Sequence, residues 1–406
     1  MEPRLPYDIL LQIFRHLDPL DKRQMRLRDT PSSVLAIQRQ LGATLSLISR
    51  DWRDVGTKYL WSNFILSFAT ERSRRKLVLL IGNEEIAKNV RRLYLYAGVH
   101  DVERAANLPV DFLLPSLKAL QSLELSATPS FTTKIFSQVD LSSDGGDLRN
   151  LRHLVLDSSD QSSTHYPDFL LRLVSKLPRL ESLEITVSLP STGSLRTPSP
   201  TPVHTRPLQS LQSFSYLVCG DNSGPSELAN PFLSSLFDLI NPSPLETLSV
   251  TCRTLPGSLS SFLSISSKLS ALSITCDRLT MENQLPSFVS SFSTLSYLSK
   301  LEFGILPAWT APFHFPSTSP LTSLFFSSLS SLPRLRTVSL DFDLTSHEVA
   351  ILDFLKSKWS GGVFERFEWN AWMAVSRYNV PISYKRREEG GWRREEQGNS
   401  IEIVGE

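Results

Sequence analysis

His347-Glu348 opens like a zinc-protease helix, in which two histidines four apart hold the metal and the intervening glutamate activates water; position 351, however, is Ile. No P-loop, G-x-G-x-x-G or G-x-S-x-G follows elsewhere, and no set of convergent polar groups can be assembled from the remainder, so the sequence predicts a non-catalytic chain needing no cofactor. Cys252 and Cys276 offer too few ligands for a metal and are expected to be buried thiols acting as small hydrophobes. Thr197, Ser199 and Thr201 each precede Pro, which suits a proline-directed kinase, and each phosphate would add nearly two negative charges. They lie in the Ser/Thr/Pro-rich stretch 188–207, which cannot bury enough apolar surface to order itself and reads as a flexible loop.

With no reaction centre to position, what the elements must hold in place is a surface. One short pattern recurs: VRRLYL at Val90, LQSLEL at Leu120, LRHLVL at Leu151, LESLEI at Leu180, LQSFSY at Leu211, LETLSV at Leu245, LSALSI at Leu269, LSKLEF at Leu298, LRTVSL at Leu335 and FERFEW at Phe364. The central residues of the ten copies, from Leu93 to Phe367, are spaced by 30, 31, 29, 31, 34, 24, 29, 37 and 29 residues, a solenoid period. In each copy the last two apolar residues are two apart and so face one side of a short strand. Stretches with helical spacing, such as DFLLRLVSKL, PFLSSLFDLI and SFVSSFSTLSYL, fill the intervals, and a strand–helix repeat of this length stacks with its strands parallel. The expected fold is a curved α/β array with a parallel sheet and outer helices over residues 67–378; a helical repeat array is the rival, disfavoured by the L-x-L dyad.

The residues between and after the strand apolars would line the concave face. Tyr94, Tyr96, Glu124, His153, Asp157, Glu184, Lys300, Glu302, Asp341, Arg366 and Glu368 are the expected target-binding positions, on a face rich in small hydroxyls and leaning acidic. It would favour a partially basic or polar partner, with Tyr94 and Tyr96 as aromatic anchors.

The first residues pose a separate problem. In LPYDILLQIFRHLDPLD, Ile9, Leu10, Ile13, Phe14 and Leu17 merge into one apolar stripe on a helix that Pro6 can begin and Pro19 must end. So short a helix is marginal alone and needs a cover, from this chain or another. A second 3-and-4 pattern runs through Val34, Ile37, Leu41, Leu45, Ile48, Trp52 and Val55, and closes with Leu60 and Trp61.

LPYDILLQIFRHLDPLD followed by LSLISRDWRDVGTKYLW resembles an F-box, the module by which substrate receptors dock on SCF-type ubiquitin ligases. Leu-Pro, Ile-Phe, Leu-Asp-Pro-x-Asp, Ser-Arg-x-Trp-Arg and Leu-Trp stand in the family's order, with about twenty extra residues inserted at 22–43. The resemblance implies a small helical domain over residues 1–66 whose apolar face is covered by a Skp-family adaptor, which joins it to a cullin. Carried over, the contact set comprises Leu5, Pro6, Ile9, Leu10, Ile13, Leu17, Pro19, Leu45, Ile48, Trp52 and Trp61, some of which must pack inside the bundle. Half a dozen such side chains, at about 1.5–3 kcal/mol each, supply the hydrophobic part of a firm interface. The repeats in turn resemble irregular leucine-rich repeats, a common companion of the F-box, although Thr128, Ser159 and Ser188 stand where the regular repeat has Asn or Cys. The resemblance therefore implies a substrate receptor; the alternative is an interaction scaffold in which the helical start only caps the array.

Composition agrees with both. A chain of 406 residues with 41% hydrophobic content can bury a sizeable core, and a formal net charge of +1 leaves no footprint for nucleic acid or an anionic membrane. There is no signal-peptide pattern and no run of 18 apolar residues, and three cysteines are too few for a disulfide framework, so a cytoplasmic and/or nuclear protein is expected. From Tyr384 on, blocks of opposite charge read as a solvated tail at 379–406, with Trp392 as a possible anchor.

Overall fold

The computed structural model describes residues 50–68, 70–98, 101, 108–140, 146–158, 166–188, 208–219, 229–306, 320–341, 344, 347–359, 363–373, 378–386, 392–396 and 399–403, together with 9, 12, 40, 43, 44 and 47. They form a mixed α/β fold with mostly parallel strands, divided into two compact units, the first described up to Ser188 and the second from Leu208. The boundary between the units falls within the Ser/Thr/Pro-rich stretch.

The first unit runs α1 (Arg50–Ser62), β1 (Asn63–Ser67), α2 (Glu71–Gly82), α3 (Glu84–Ala87), β2 (Arg92–Ala97), α4 (Leu113–Ser116), β3 (Ser122–Ala127), α5 (Pro129–Ile135), β4 (His153–Ser158), α6 (Tyr166–Val174) and β5 (Ser182–Ser188). Each strand pairs in parallel with the next in chain order, so that Phe64, Leu93, Leu123, Leu154 and Leu183 stand in one register. All five are buried. Strand β1 extends the sheet by one strand into the segment expected to be purely helical through residue 66; its signal was present, since Phe64 and Leu66 form the same dyad one repeat before Leu93.

The second unit runs β6 (Ser213–Cys219), α7 (Ala229–Leu239), β7 (Thr247–Thr251), α8 (Ser258–Ile265), β8 (Ala271–Cys276), α9 (Arg278–Ser291), β9 (Lys300–Ile305), α10 (Pro320–Ser330), β10 (Thr337–Leu340), α11 (Glu348–Trp359) and β11 (Arg366–Met373). Strands β6 to β11 are again parallel and in chain order. All ten recurrences of the sequence pattern are therefore strands, β2 to β11.

The turn after the strand, where asparagine is missing, is satisfied by helix caps. Thr128 Oγ1 accepts the N–H of Phe131, with Pro129 in the first turn where its absent N–H costs nothing, and Asp277 Oδ1 accepts the N–H of Thr280 at 2.7 Å. The turn into the strand is equally regular. In the first unit Val90, Leu120, Leu151 and Leu180 each donate their N–H to the carbonyl three residues earlier, at 3.1, 3.0, 2.9 and 3.2 Å.

Residues 378–403 are not a solvated tail. They form β12 (Tyr378–Arg386), β13 (Trp392–Glu396) and β14 (Asn399–Ile403), an antiparallel meander paired onto β11. Its inward residues Ile382, Tyr384 and Trp392 are buried and continue an aromatic seam. Phe303 packs with Phe288, Phe292 and Phe325; Phe325 meets Phe326, Phe326 meets Phe354 and Phe367, Phe367 meets Tyr384, and Phe364 meets Trp392, with ring centroids 5.4–6.5 Å apart.

Among the described residues of this unit, one lysine is enclosed. The ammonium of Lys358, in the last turn of α11 and 9% exposed, donates to the carbonyls of Ser330 at 2.8 Å and Leu332 at 2.6 Å, closing the C-terminal end of α10. Burial pushes it down from 10.5 to about 8. The unfolded chain therefore holds this proton more tightly than the folded one, and stability rises with pH between those values. The neutral amine still has two hydrogens for the two carbonyls. Relative to Lys358→Met, the parent should gain about 1–2 kcal/mol on going from about pH 7.5 to about pH 10, read by chemical denaturation; a parent–variant difference that stays constant over that range refutes the assignment.

Candidate functional site

Alternation along each strand buries Leu93, Leu95 and Ala97 against the helices and turns Tyr94 and Tyr96 the other way, and the same holds for every copy. Parallel register then sorts the outward residues into rows. In the first unit Tyr94, Glu124, Val155 and Glu184 form one row, Tyr96, Ser126, Asp157 and Thr186 a second, and Arg92, Ser122, His153 and Ser182 a third. The six expected target-binding positions of the first unit, Tyr94, Tyr96, Glu124, His153, Asp157 and Glu184, share one face, but not all are open. Glu124 is only 5% exposed and Thr186 is buried as well, so neither is open to a partner, and the contact residues of the face are Tyr94, Tyr96, Asp157, Glu184 and His153. Asp157 is tied down by the Ser126 hydroxyl, which donates to its Oδ2 at 3.3 Å. His153 is held below the usual histidine range, first by partial burial and then by Arg92 and Arg152, with Glu181 opposing, so it is neutral near pH 7. Arg92, in the same row, was not among the expected positions, although His153 in the equivalent position was.

In the second unit Lys300, Thr337 and Arg366 form one row and Glu302, Ser339 and Glu368 the next. The charges pair along their own strands, Lys300 with Glu302 at 2.8 Å and Arg366 with Glu368, leaving a near-neutral, hydrogen-bonding surface. Asp341 accepts the N–H of Ile305 through Oδ2 at 3.3 Å and so closes the end of β9. Earlier strands present Ser215, Ser249 and Ser273 in one register, a band of hydroxyls continuous with Glu302.

Of the proposed adaptor contacts, three are described. Ile9 is helical and 43% exposed. Trp52 and Trp61 lie on α1 and are half-buried; Trp61 stacks on Phe64 of β1 at 5.6 Å, which anchors α1 to the first strand through the chain's own residues, and Val55 is fully enclosed. Leu5, Pro6, Leu10, Ile13, Leu17, Pro19, Leu45 and Ile48 lie outside the described residues, as do Thr197, Ser199 and Thr201 and nearly all of the insertion at 22–43. Leu47, between two of the contact positions, is 80% exposed.

Cys252 and Cys276 are free thiols, both buried, and burial pushes Cys252 up to about 12 and Cys276 higher still, so neither is a ready nucleophile. His347 is buried, and Glu348 faces out to Arg394 at 2.6 Å. Among the described residues no group of three or more His, Cys, Asp or Glu side chains could hold a metal ion, and no helix is long and apolar enough to cross a membrane. Compared with family models and with curated proteins, the chain gives no match to either.

Proposed function

We propose that the chain is the substrate-recognition subunit of an SCF-type ubiquitin ligase: its first sixty or so residues dock on a Skp-family adaptor, which brings the cullin, and a leucine-rich-repeat-like solenoid holds a protein target on its polar strand face. The chain does no chemistry itself. Ubiquitin transfer is catalysed by the partners, and the receptor contributes proximity and orientation. The observation that carries this reading is the combination of motif residues in F-box order with in-register strand–helix repeats, whose outward rows are mainly polar and whose inward rows are mainly apolar. Exposure of Ile9 and Leu47 in the docking segment supports it. The stacking of Trp61 on Phe64 favours a second reading, a scaffold in which the helical start merely caps the repeats.

Co-expression with a Skp-family adaptor separates the two. The parent should co-purify with the adaptor, and the double variant Leu10→Asp, Ile13→Asp should lose at least about tenfold in retention, because each carboxylate must be desolvated at an apolar interface. Equal retention of parent and double variant sinks the docking assignment, and no retention of either favours the scaffold.

A further inference from the structure

The four turns that lead into β2, β3, β4 and β5 share one build. Each has an apolar residue, two outward residues and a second apolar residue: Ala87-Lys88-Asn89-Val90, Leu117-Lys118-Ala119-Leu120, Leu148-Arg149-Asn150-Leu151 and Leu177-Pro178-Arg179-Leu180. Both apolar members are buried in every copy, and the hydrogen bond between them closes the turn, so the middle pair is turned outward. A cation occurs in all four: Lys88, Lys118, Arg149 and Arg179, each exposed.

Neighbouring turns are fastened side by side. Asn150 Nδ2 donates to the carbonyl of Lys118 at 2.8 Å. The N–H groups of Gln121 and Ser122 donate to the Arg91 carbonyl, those of Arg152 and His153 to Gln121, and those of Glu181 and Ser182 to Arg152. A second row, Arg91, Gln121, Arg152 and Glu181, therefore runs beside the first. At a strand spacing of about 4.8 Å, four turns span roughly 15 Å.

Few acids answer these charges. Glu85 pairs with Lys88, Glu181 pairs with Arg152 at 2.7 Å, and Asp147 accepts the N–H of Asp140 at 3.0 Å. Arg91, Lys118, Arg149, Lys176 and Arg179 are exposed and have no ion pair among the described residues. The fold does not require such a ridge: the equivalent turns of the second unit carry Gln209-Ser210, Ser243-Pro244, Ser267-Lys268, Ser296-Tyr297 and Pro333-Arg334, and Arg334 lies over the Tyr297 ring at 4.1 Å.

We propose that this ridge of the first unit binds an extended acidic segment of another protein, its carboxylates meeting the guanidinium and ammonium groups of Arg91, Lys118, Arg149 and Arg179. Guanidinium forks match carboxylates two bonds at a time. A span of roughly 15 Å takes four or five extended residues, whose alternate side chains bring two or three carboxylates to the ridge. Nucleic acid fits less well, because the turns carry no Phe, Tyr or Trp on which a base could stack and five cations fall short of the phosphate contacts that give such complexes their affinity. The proposal rests on the receptor reading only in making the acidic segment part of a target.

Fluorescence anisotropy on the full chain, with a labelled peptide of alternating Glu and Ser, tests it without any adaptor, so failure here leaves docking untouched and failure of docking leaves the ridge untouched. The parent should bind the peptide at low salt, lose it at high salt, and ignore the same peptide with Gln for Glu. Lys118→Glu, Arg149→Glu, Arg179→Glu together should weaken binding at least about tenfold, whereas Lys268→Glu with Lys356→Glu, exposed cations of the second unit, should not. If circular dichroism shows the triple-Glu variant unfolded, the triple-Gln variant takes its place with the same expected direction. Absence of binding by the parent, or equal losses in both sets, overturns the proposal. So does tighter, ridge-dependent binding of a labelled oligodeoxythymidine, which assigns the ridge to nucleic acid.

Discussion

Phe303→Ala should destabilise the second unit by about 3–5 kcal/mol. Phe303 is fully buried at the hub of the aromatic seam, between Phe288 and Phe292 on one side at 6.2 and 6.1 Å and Phe325 on the other at 6.5 Å. Phe288 and Phe292 come from the C-terminal end of α9 and Phe325 from α10, and packed helices close only partly on the space a lost ring leaves, so both the transfer and the cavity contributions are felt. Chemical denaturation followed through Trp369 and Trp392, both buried in this unit, reads the change. Phe303→Leu should lose much less, as most of the volume is kept. A loss below about 1 kcal/mol for alanine would mean that the seam is loosely packed.

Gly304→Val is the second large effect, about 3 kcal/mol, through overpacking instead of a void. Gly304 lies on β9 opposite Thr275 of β8, and a Cβ at Gly304 would stand 2.5 Å from Thr275 Oγ1, 3.0 Å from its Cγ2 and 3.2 Å from its Cβ. Rotating the threonine turns its hydrogen toward only one of the two close positions and leaves a branch at the other. Thr275→Ala removes both branches, so the double variant should recover most of the loss; a double-mutant cycle with no coupling would rule out this contact as the reason for glycine. Because both positions face outward, the pair also sets how low the strand face lies at this rung.

The strands were the most legible part of the fold. L-x-x-L-x-L carries its own geometry: two apolar residues two apart require one buried face, and all ten copies from Leu93 to Phe367 are strands. The C-terminal meander was hidden for a physical reason. Its outward and edge positions are charged, as exposed strand edges tend to be, and Lys385, Arg393 and Glu395 mask the alternation of Ile382 with Tyr384. The division into two units could not be read from repeats whose spacing runs on across it. At the surface, strand position was readable but accessibility was not. Glu124 has the sequence context of Glu184, yet only Glu124 is closed off, since enclosure depends on neighbouring strands that lie one repeat away.

Within each unit a parallel strand bonds to the strands adjacent to it in the chain, about one repeat away, and the cost of closing such a ring grows only with the logarithm of its length. Doubling a connection adds roughly 0.6 kcal/mol. The connection between Ile305 and Pro320 can therefore lengthen or shorten through evolution while β9 and β10 keep their bonds, and whole rungs can be gained by duplication without re-routing the backbone. A ladder of this kind lets recognition diversify by copying, at almost no topological cost.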